Sequence, residues 1–139
     1  MLRGGKTAGL FGCVLTAAGV LMLGGSESAE ARPQYFKAFT DTYPDLKKEI
    51  AVQKCNVCHY GKDKKDRSNY GEAFGKTLAK VVGAPEAKNV PSKELPKIKD
   101  AVKKTESEKS AVDEKTFGEL LKEKKLPATG WEPPKEGGE

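Results

Sequence analysis

Three residues in the stretch "KCNVCHYGK", residues 54–62, are placed to do chemistry together: Cys55, Cys58 and His59. His59 is the single histidine of a 139-residue chain. Two thiols three positions apart with an imidazole directly after them fit a zinc site, a redox dithiol or a haem-attachment site. A structural zinc site takes four ligands, mostly Cys and His, and the stretch supplies three. A fourth ligand would have to be a carboxylate, and nothing in the sequence marks one out. A thioredoxin-like dithiol opens a helix within a βαβ unit, and no segment here alternates as a strand does. A plain disulfide leaves His59 without a purpose. Covalent haem uses all three residues, because C-x-x-C-H is the c-type attachment signature. Each thiol adds across one vinyl group, and the imidazole becomes an axial iron ligand. On a helix the three positions are i, i+3 and i+4, hence neighbours on one face.

The expected compartment agrees. Residues 1–31 read as a targeting segment: Arg3 and Lys6, then the apolar "TAGLFGCVLTAAGVLMLGG", then a small-x-small site at Ala29 and Ala31. Cleavage after Ala31 makes the protein an exported, periplasmic one. The rivals are an uncleaved membrane anchor and a lipid anchor at Cys13. The glycines weaken the first, and the second would interrupt the apolar run rather than follow it. In an oxidising compartment free thiols do not persist. With Cys13 removed, Cys55 and Cys58 must be paired, metal-bound or covalently capped.

The elements that must position these residues read as helices. "PQYFKAFTDTYP" sets Tyr35, Phe36 and Phe39 at helical spacing. In "YPDLKKEIAVQKCNVCH", Pro44 and Asp45 suit a first turn, and Leu46, Ile50 and Val57 share a face. "GKDKKDRSN" reads as a polar loop. "NYGEAFGKTLAKVVGAP" is the clearest helix, with Asn69 as the expected cap, Glu72 completing a capping box, and Phe74, Leu78, Val81 and Val82 on one face. Gly83 and Pro85 end it. Leu95, Ile98 and Val102 mark another helix, and Phe117, Leu120 and Leu121 a last one that ends by Pro127. The expected fold is all-α, with a domain over residues 32–127. Residues 128–139 form a Pro/Gly-rich tail expected to be flexible, with Trp131 able to dock back. Large apolar residues are few, so a bound group is expected to complete the core.

The residues carry a resemblance. "CNVCHYGKDKKDRSNYGEAFGK" is similar to a group of short exported bacterial monohaem cytochromes c, in which C-x-x-C-H-Y-G-K is followed by a basic loop and then Y-G. The specific likeness covers about twenty residues; beyond it the match is in length and helical content. The resemblance implies a small, class I-like helical domain wrapped around one covalently bound haem c, and electron transfer in the periplasm rather than enzymatic catalysis. It implies Cys55 and Cys58 as thioether attachment residues and His59 as the axial ligand to haem iron. No other residue carries over.

The chain departs from the common His/Met pattern. Its two methionines are Met1 and Met22, both inside the targeting segment. Beyond that segment no Met and no second His remain for the sixth iron position. That position is open, water-bound, or capped by a lysine, with the stretch from Lys88 to Lys104 the expected place to look. Lys62, Lys64 and Lys65 are expected on the proximal side. Tyr60, Tyr70 and Asn69 suit packing or capping better than ligation. An open position makes a gas-binding or sensing haem protein the alternative function.

The net charge is +5. It stays so without residues 1–31, since Arg3 and Lys6 balance Glu27 and Glu30. Lysines in "GKDKKDR" or "IKDAVKK" would steer the protein to redox partners with an acidic face. Nucleic acid is excluded as a partner by export and by the lack of interleaved aromatic and basic residues. A membrane enters only through an uncleaved targeting segment or a membrane-bound partner.

Overall fold

A computed structural model describes residues 32–133; residues 1–31, expected to be a targeting segment, and residues 134–139 of the tail lie outside the described residues. Helix α1 spans Pro33–Thr42, with Pro33 at its first turn. A 3₁₀ turn, Pro44–Leu46, leads into α2, Lys47–Gln53. A second 3₁₀ turn, Lys54–Val57, carries the first thiol. Two short antiparallel strands follow, β1 (His59–Tyr60) and β2 (Asp66–Arg67), with His59 opposite Arg67 and Tyr60 opposite Asp66. Then come α3 (Asn69–Val82), α4 (Leu95–Thr105) and α5 (Phe117–Lys122). The described residues are mostly helical, as the periodicity predicts. The hairpin replaces the expected loop: Gly61 and Lys64 take positive φ (73° and 55°), which tightens the polar stretch enough to pair its ends.

The core lies where α1, α3, α4 and α5 meet. Ala38, Phe39, Leu78, Ile98, Val102 and Phe117 are all buried there. Leu46, Ile50 and Val57, expected on one face, are buried as well. The loop after α3 is tied to α1. The Tyr35 hydroxyl donates to the Ala87 carbonyl at 3.2 Å and accepts the Val90 N–H at 3.1 Å. Among the described residues no helix is long and apolar enough to cross a membrane.

Two sequence expectations change locally. The cap of α3 is Ser68, whose Oγ accepts the Gly71 N–H at 3.2 Å. Asn69 is the first helical residue, and its Oδ1 instead accepts the Ala111 N–H at 2.8 Å. The capping box forms at α5, where the Thr116 side chain and Glu119 exchange hydrogen bonds. The other change concerns the helix expected to carry residues 55–59. It breaks at Lys54, whose backbone stands at φ 49°, ψ −120°.

Candidate functional site

Cys55, Cys58 and His59 line one cavity of about 420 Å³, a size within the usual range for bound cofactors. They reach it without sharing a helix face. Cys55 and Val57 sit in the 3₁₀ turn, which the Cys58 N–H closes on the Cys55 carbonyl at 3.2 Å. His59 opens β1. The change of backbone at each step turns both thiols and the imidazole to the same opening. Cys55 is exposed, Cys58 is partly buried, and both thiols are free.

The strand pairing orients the imidazole. His59 Nδ1 lies 3.2 Å from the Asp66 carbonyl. A carbonyl only accepts, so the bond requires the proton on Nδ1, and Nε2 keeps its lone pair. Burial lowers the pKa of His59, and the charges of Arg67, Arg32 and Lys64 lower it further against the opposing Asp66 hydrogen bond. The ring is thus held neutral, the state in which it binds a metal. Burial pushes the Cys58 thiol up to about 12, helped by repulsion from Cys55 and opposed by Arg67. Cys58 is therefore a neutral thiol at ordinary pH and a poor nucleophile for disulfide exchange.

The cavity has two chemical zones. Phe39, Val57, Tyr70, Phe74, Leu78 and Val102 are buried and form its apolar inner wall. The aromatic rings interlock: Tyr70 stacks on Phe74 at 6.3 Å and meets Phe39 edge-on at 5.5 Å. Five cations border the remainder, Arg32, Lys54, Lys64, Lys65 and Arg67, against one carboxylate, Asp63. Among the described residues none of the five pairs with a carboxylate, whereas eight ion pairs tie lysines elsewhere.

The lysines between residues 88 and 104 do not border this cavity. Lys88, Lys97, Lys99, Lys103 and Lys104 hold carboxylates at 2.6–3.0 Å on the outer surface. Of the basic stretches, "GKDKKDR" brings Lys64, Lys65 and Arg67 to the cavity, whereas "IKDAVKK" contributes Val102 and none of its lysines. Lys62 borders a second, shallower cavity of about 450 Å³ on another side of His59, under Trp131. The Trp131 ring packs on Tyr60 at 5.1 Å, so this part of the tail does dock back.

Helix α3 presses two glycines toward the site. A β-carbon at Gly71 would stand 2.0 Å from the Cys58 carbonyl oxygen, and one at Gly75 would stand 2.7 Å from the Arg67 guanidinium. Sequence reasoning passed over both. The signal was the recurrence of Gly at i and i+4 within an otherwise good helix former.

The residues present fit a haem group. The donor set supplies two thiols and one neutral imidazole at one opening. The inner wall suits a flat apolar body, and the cations suit carboxylates at its edge. Among the described residues no group of three or more His, Cys, Asp or Glu is arranged to hold a metal ion by itself. A porphyrin brings four nitrogen ligands, so His59 alone suffices from the chain. No family model, curated protein or solved structure compared with this chain matches it.

Proposed function

We propose that this protein is an exported, periplasmic monohaem c-type cytochrome that carries single electrons. One observation carries the reading: Cys55, Cys58 and a His59 with a free Nε2 converge on a cavity with an apolar aromatic wall and a cationic mouth. Bound haem supplies the one-electron Fe²⁺/Fe³⁺ couple. Cys55 and Cys58 tether the group. His59 would hold the iron through Nε2, while the Asp66 carbonyl keeps its ring in one orientation and raises its basicity. Phe39, Phe74, Leu78 and Val102 would exclude water from the apolar part of the group. Arg32, Arg67 and the lysines of the hairpin offset negative charge at the edge and attract redox partners with an acidic face.

The second reading, a gas-binding or sensing haem protein, has its own support. Among the described residues no methionine and no second histidine borders the cavity.

The test is the full chain exported with haem-maturation machinery, read by intact mass and by optical spectra with and without CO. A covalent haem mass and a low-spin iron indifferent to CO support the carrier. A covalent haem mass with ready CO uptake moves the second reading first. An unshifted mass without haem bands overturns both.

A further inference from the structure

The tail expected to be flexible from residue 128 is tied to the core as far as Trp131. Leu126 and Pro127, just before it, are buried. The Thr129 N–H returns to the Leu126 carbonyl at 2.8 Å, and the Trp131 N–H to the Ala128 carbonyl at 3.2 Å. Gly130 takes φ 78°, which lets the chain turn there. The turn lays Trp131, the single tryptophan of the chain, on the ring of Tyr60.

What Trp131 rests on is the strand of His59. β1 and β2 are two residues each, and a hairpin this short holds its pairing poorly unaided. β2 leans on α3, where the Arg67 guanidinium lies so close to Gly75 that a β-carbon there would stand 2.7 Å from it. β1 leans on the tail. Successive side chains of a strand leave it on opposite faces. His59 accordingly borders the larger site, while Tyr60 borders the second cavity alone and meets Trp131 there. Asp66 couples the two faces. It pairs with Tyr60 across the hairpin, and its carbonyl accepts from His59 Nδ1 at 3.2 Å. A shift of Tyr60 against Asp66 therefore reaches the bond that sets the tautomer and direction of the imidazole.

Resting on the reading of His59 as the haem ligand, we propose that Trp131 is a positioning residue for it. The segment from Leu126 to Trp131 is a strap that clamps β1 through Tyr60. The clamp holds His59 in the tautomer and orientation that leave Nε2 free for the iron. Without it the hairpin opens locally while the helical core stays folded.

The test uses the full chain, labelled with nitrogen-15 and exported with haem-maturation machinery, as wild type, W131A and W131F. The chain has one histidine, so the His59 Nδ1 proton is a single resonance. Its exchange with solvent reports opening of the hairpin. The backbone amides of Leu78 and Ala101, buried in α3 and α4, report opening of the core. An aromatic pair of this kind lowers the open population about two- to tenfold. W131A should exchange the His59 proton faster by that factor, with Leu78 and Ala101 unchanged. W131F keeps a ring on Tyr60 and should restore most of the protection. Equal His59 exchange in wild type and W131A overturns the proposal. So does a rise shared by Leu78 and Ala101, which is a loss of general stability, or a W131F that behaves as W131A. If W131A does not fold, G130A decides on the same readouts. It leaves the indole in place and strains the turn that carries it. A rise at His59 alone then supports the strap, and no rise or a shared one overturns it. Intact mass reports haem separately. A chain exported without haem removes the haem reading and not the clamp, which is then judged in the same variants by the share of the Nδ1-protonated tautomer: a share that falls in W131A supports it, and an equal share overturns it.

Discussion

The backbone of Gly71 lies directly on the backbone of Cys58: a β-carbon at 71 would stand 2.0 Å from the Cys58 carbonyl oxygen and 2.9 Å from its carbonyl carbon. That oxygen is already engaged, accepting the Ser68 N–H at 2.9 Å. It cannot retreat without opening the turn that presents Cys58. Gly71→Ala therefore forces α3 away from the turn that holds Cys55 and Cys58, with a loss of about 3 kcal/mol, the upper end of overpacking penalties. Gly75→Ala is the control. There the obstructing atom is the end of the flexible Arg67 side chain, and the helical gain of replacing Gly by Ala, about 1 kcal/mol, offsets the adjustment. Thermal melts of the two variants, with covalent haem yield, check the contrast. Equal losses would mean that α3 does not rest on Cys58 as described.

Ser68 performs two tasks with one oxygen. It accepts the Gly71 N–H at 3.2 Å as the cap of α3, and it donates to the Val57 carbonyl at 2.9 Å in the turn between the thiols. Ser68→Ala removes the cap, worth about 1 kcal/mol, and leaves a carbonyl in a buried setting without its donor, about another 1 kcal/mol. The expected loss is about 2 kcal/mol. Ser68→Asp restores only the cap, since a carboxylate cannot donate to Val57. Denaturant midpoints of the three proteins measure this. A fully rescued Asp variant would show that the Val57 bond contributes nothing.

The joint before the thiols is strained. Lys54 adopts φ 49° and ψ −120°, a region that disfavours any residue with a side chain and costs on the order of 1–3 kcal/mol. Lys54→Gly relieves it, with an expected gain of about 1 kcal/mol after the entropy lost from a freer unfolded chain. The experiment is equilibrium unfolding. A destabilised Lys54→Gly would place the residue's packing above its backbone in importance.

The helices, and the grouping of Cys55, Cys58 and His59 at one cavity, were legible because their signals are local. Leu46, Ile50 and Val57, or Phe74 and Leu78, fall at spacings only a buried face explains. What was not legible depends on contacts between distant parts. Helical continuation through residues 54–59 is the local preference, but docking of Gly71 on Cys58 and pairing of His59 with Arg67 impose a break and a strand. Asn69 caps as well as Ser68 by composition. The Ala111 N–H, forty-two residues away, takes the Asn69 side chain, while Ser68 alone also reaches Val57. The lysines divide in the same way. Lys104 meets Asp100 one turn back on α4, a local pair, but Lys99 resembles Lys64 and Lys65 in sequence and only the fold sets Asp41 beside it.

Glu106 predicts a pH dependence. The Tyr43 hydroxyl donates to its Oε1 at 2.8 Å and Lys103 at 3.0 Å, joining α4 to the end of α1. Burial raises the Glu106 pKa, but these two bonds outweigh it and hold it below the ordinary 4.5. A carboxyl depressed in the folded state stabilises fully above its unfolded pKa, and the contribution is lost as pH falls through the folded value. Stability should thus fall from about pH 4.5 downward, and Glu106→Gln should flatten that part of the curve. At pH 7 Glu106→Gln costs about 1–2 kcal/mol, as a charge-assisted bond becomes a neutral one. Urea midpoints from pH 3 to 7 decide it; parallel curves for the two proteins would remove Glu106 from the account.

If the protein carries electrons as proposed, the cationic mouth predicts how they leave and enter. Lys64 and Lys65 border the cavity, and no described carboxylate pairs with them. Lys103 and Lys104 lie near Glu106 and Asp100, so their field is largely offset. Fields at a site of exchange change association rates by tenfold or more, and salt screens them within about 10 Å at 0.1 M. The double variant K64E/K65E should slow oxidation of the reduced holoprotein by a small anionic oxidant about tenfold at low salt. It should also speed oxidation by a cationic oxidant and reverse the salt dependence of both. The variant K103E/K104E carries the same change of net charge on the outer face of α4 and should alter each rate by less than about threefold. Stopped-flow rates across a salt series separate the two. If the double variants behaved alike, net charge and not the cavity mouth would govern the exchange, and the hairpin would lose its place as the docking element.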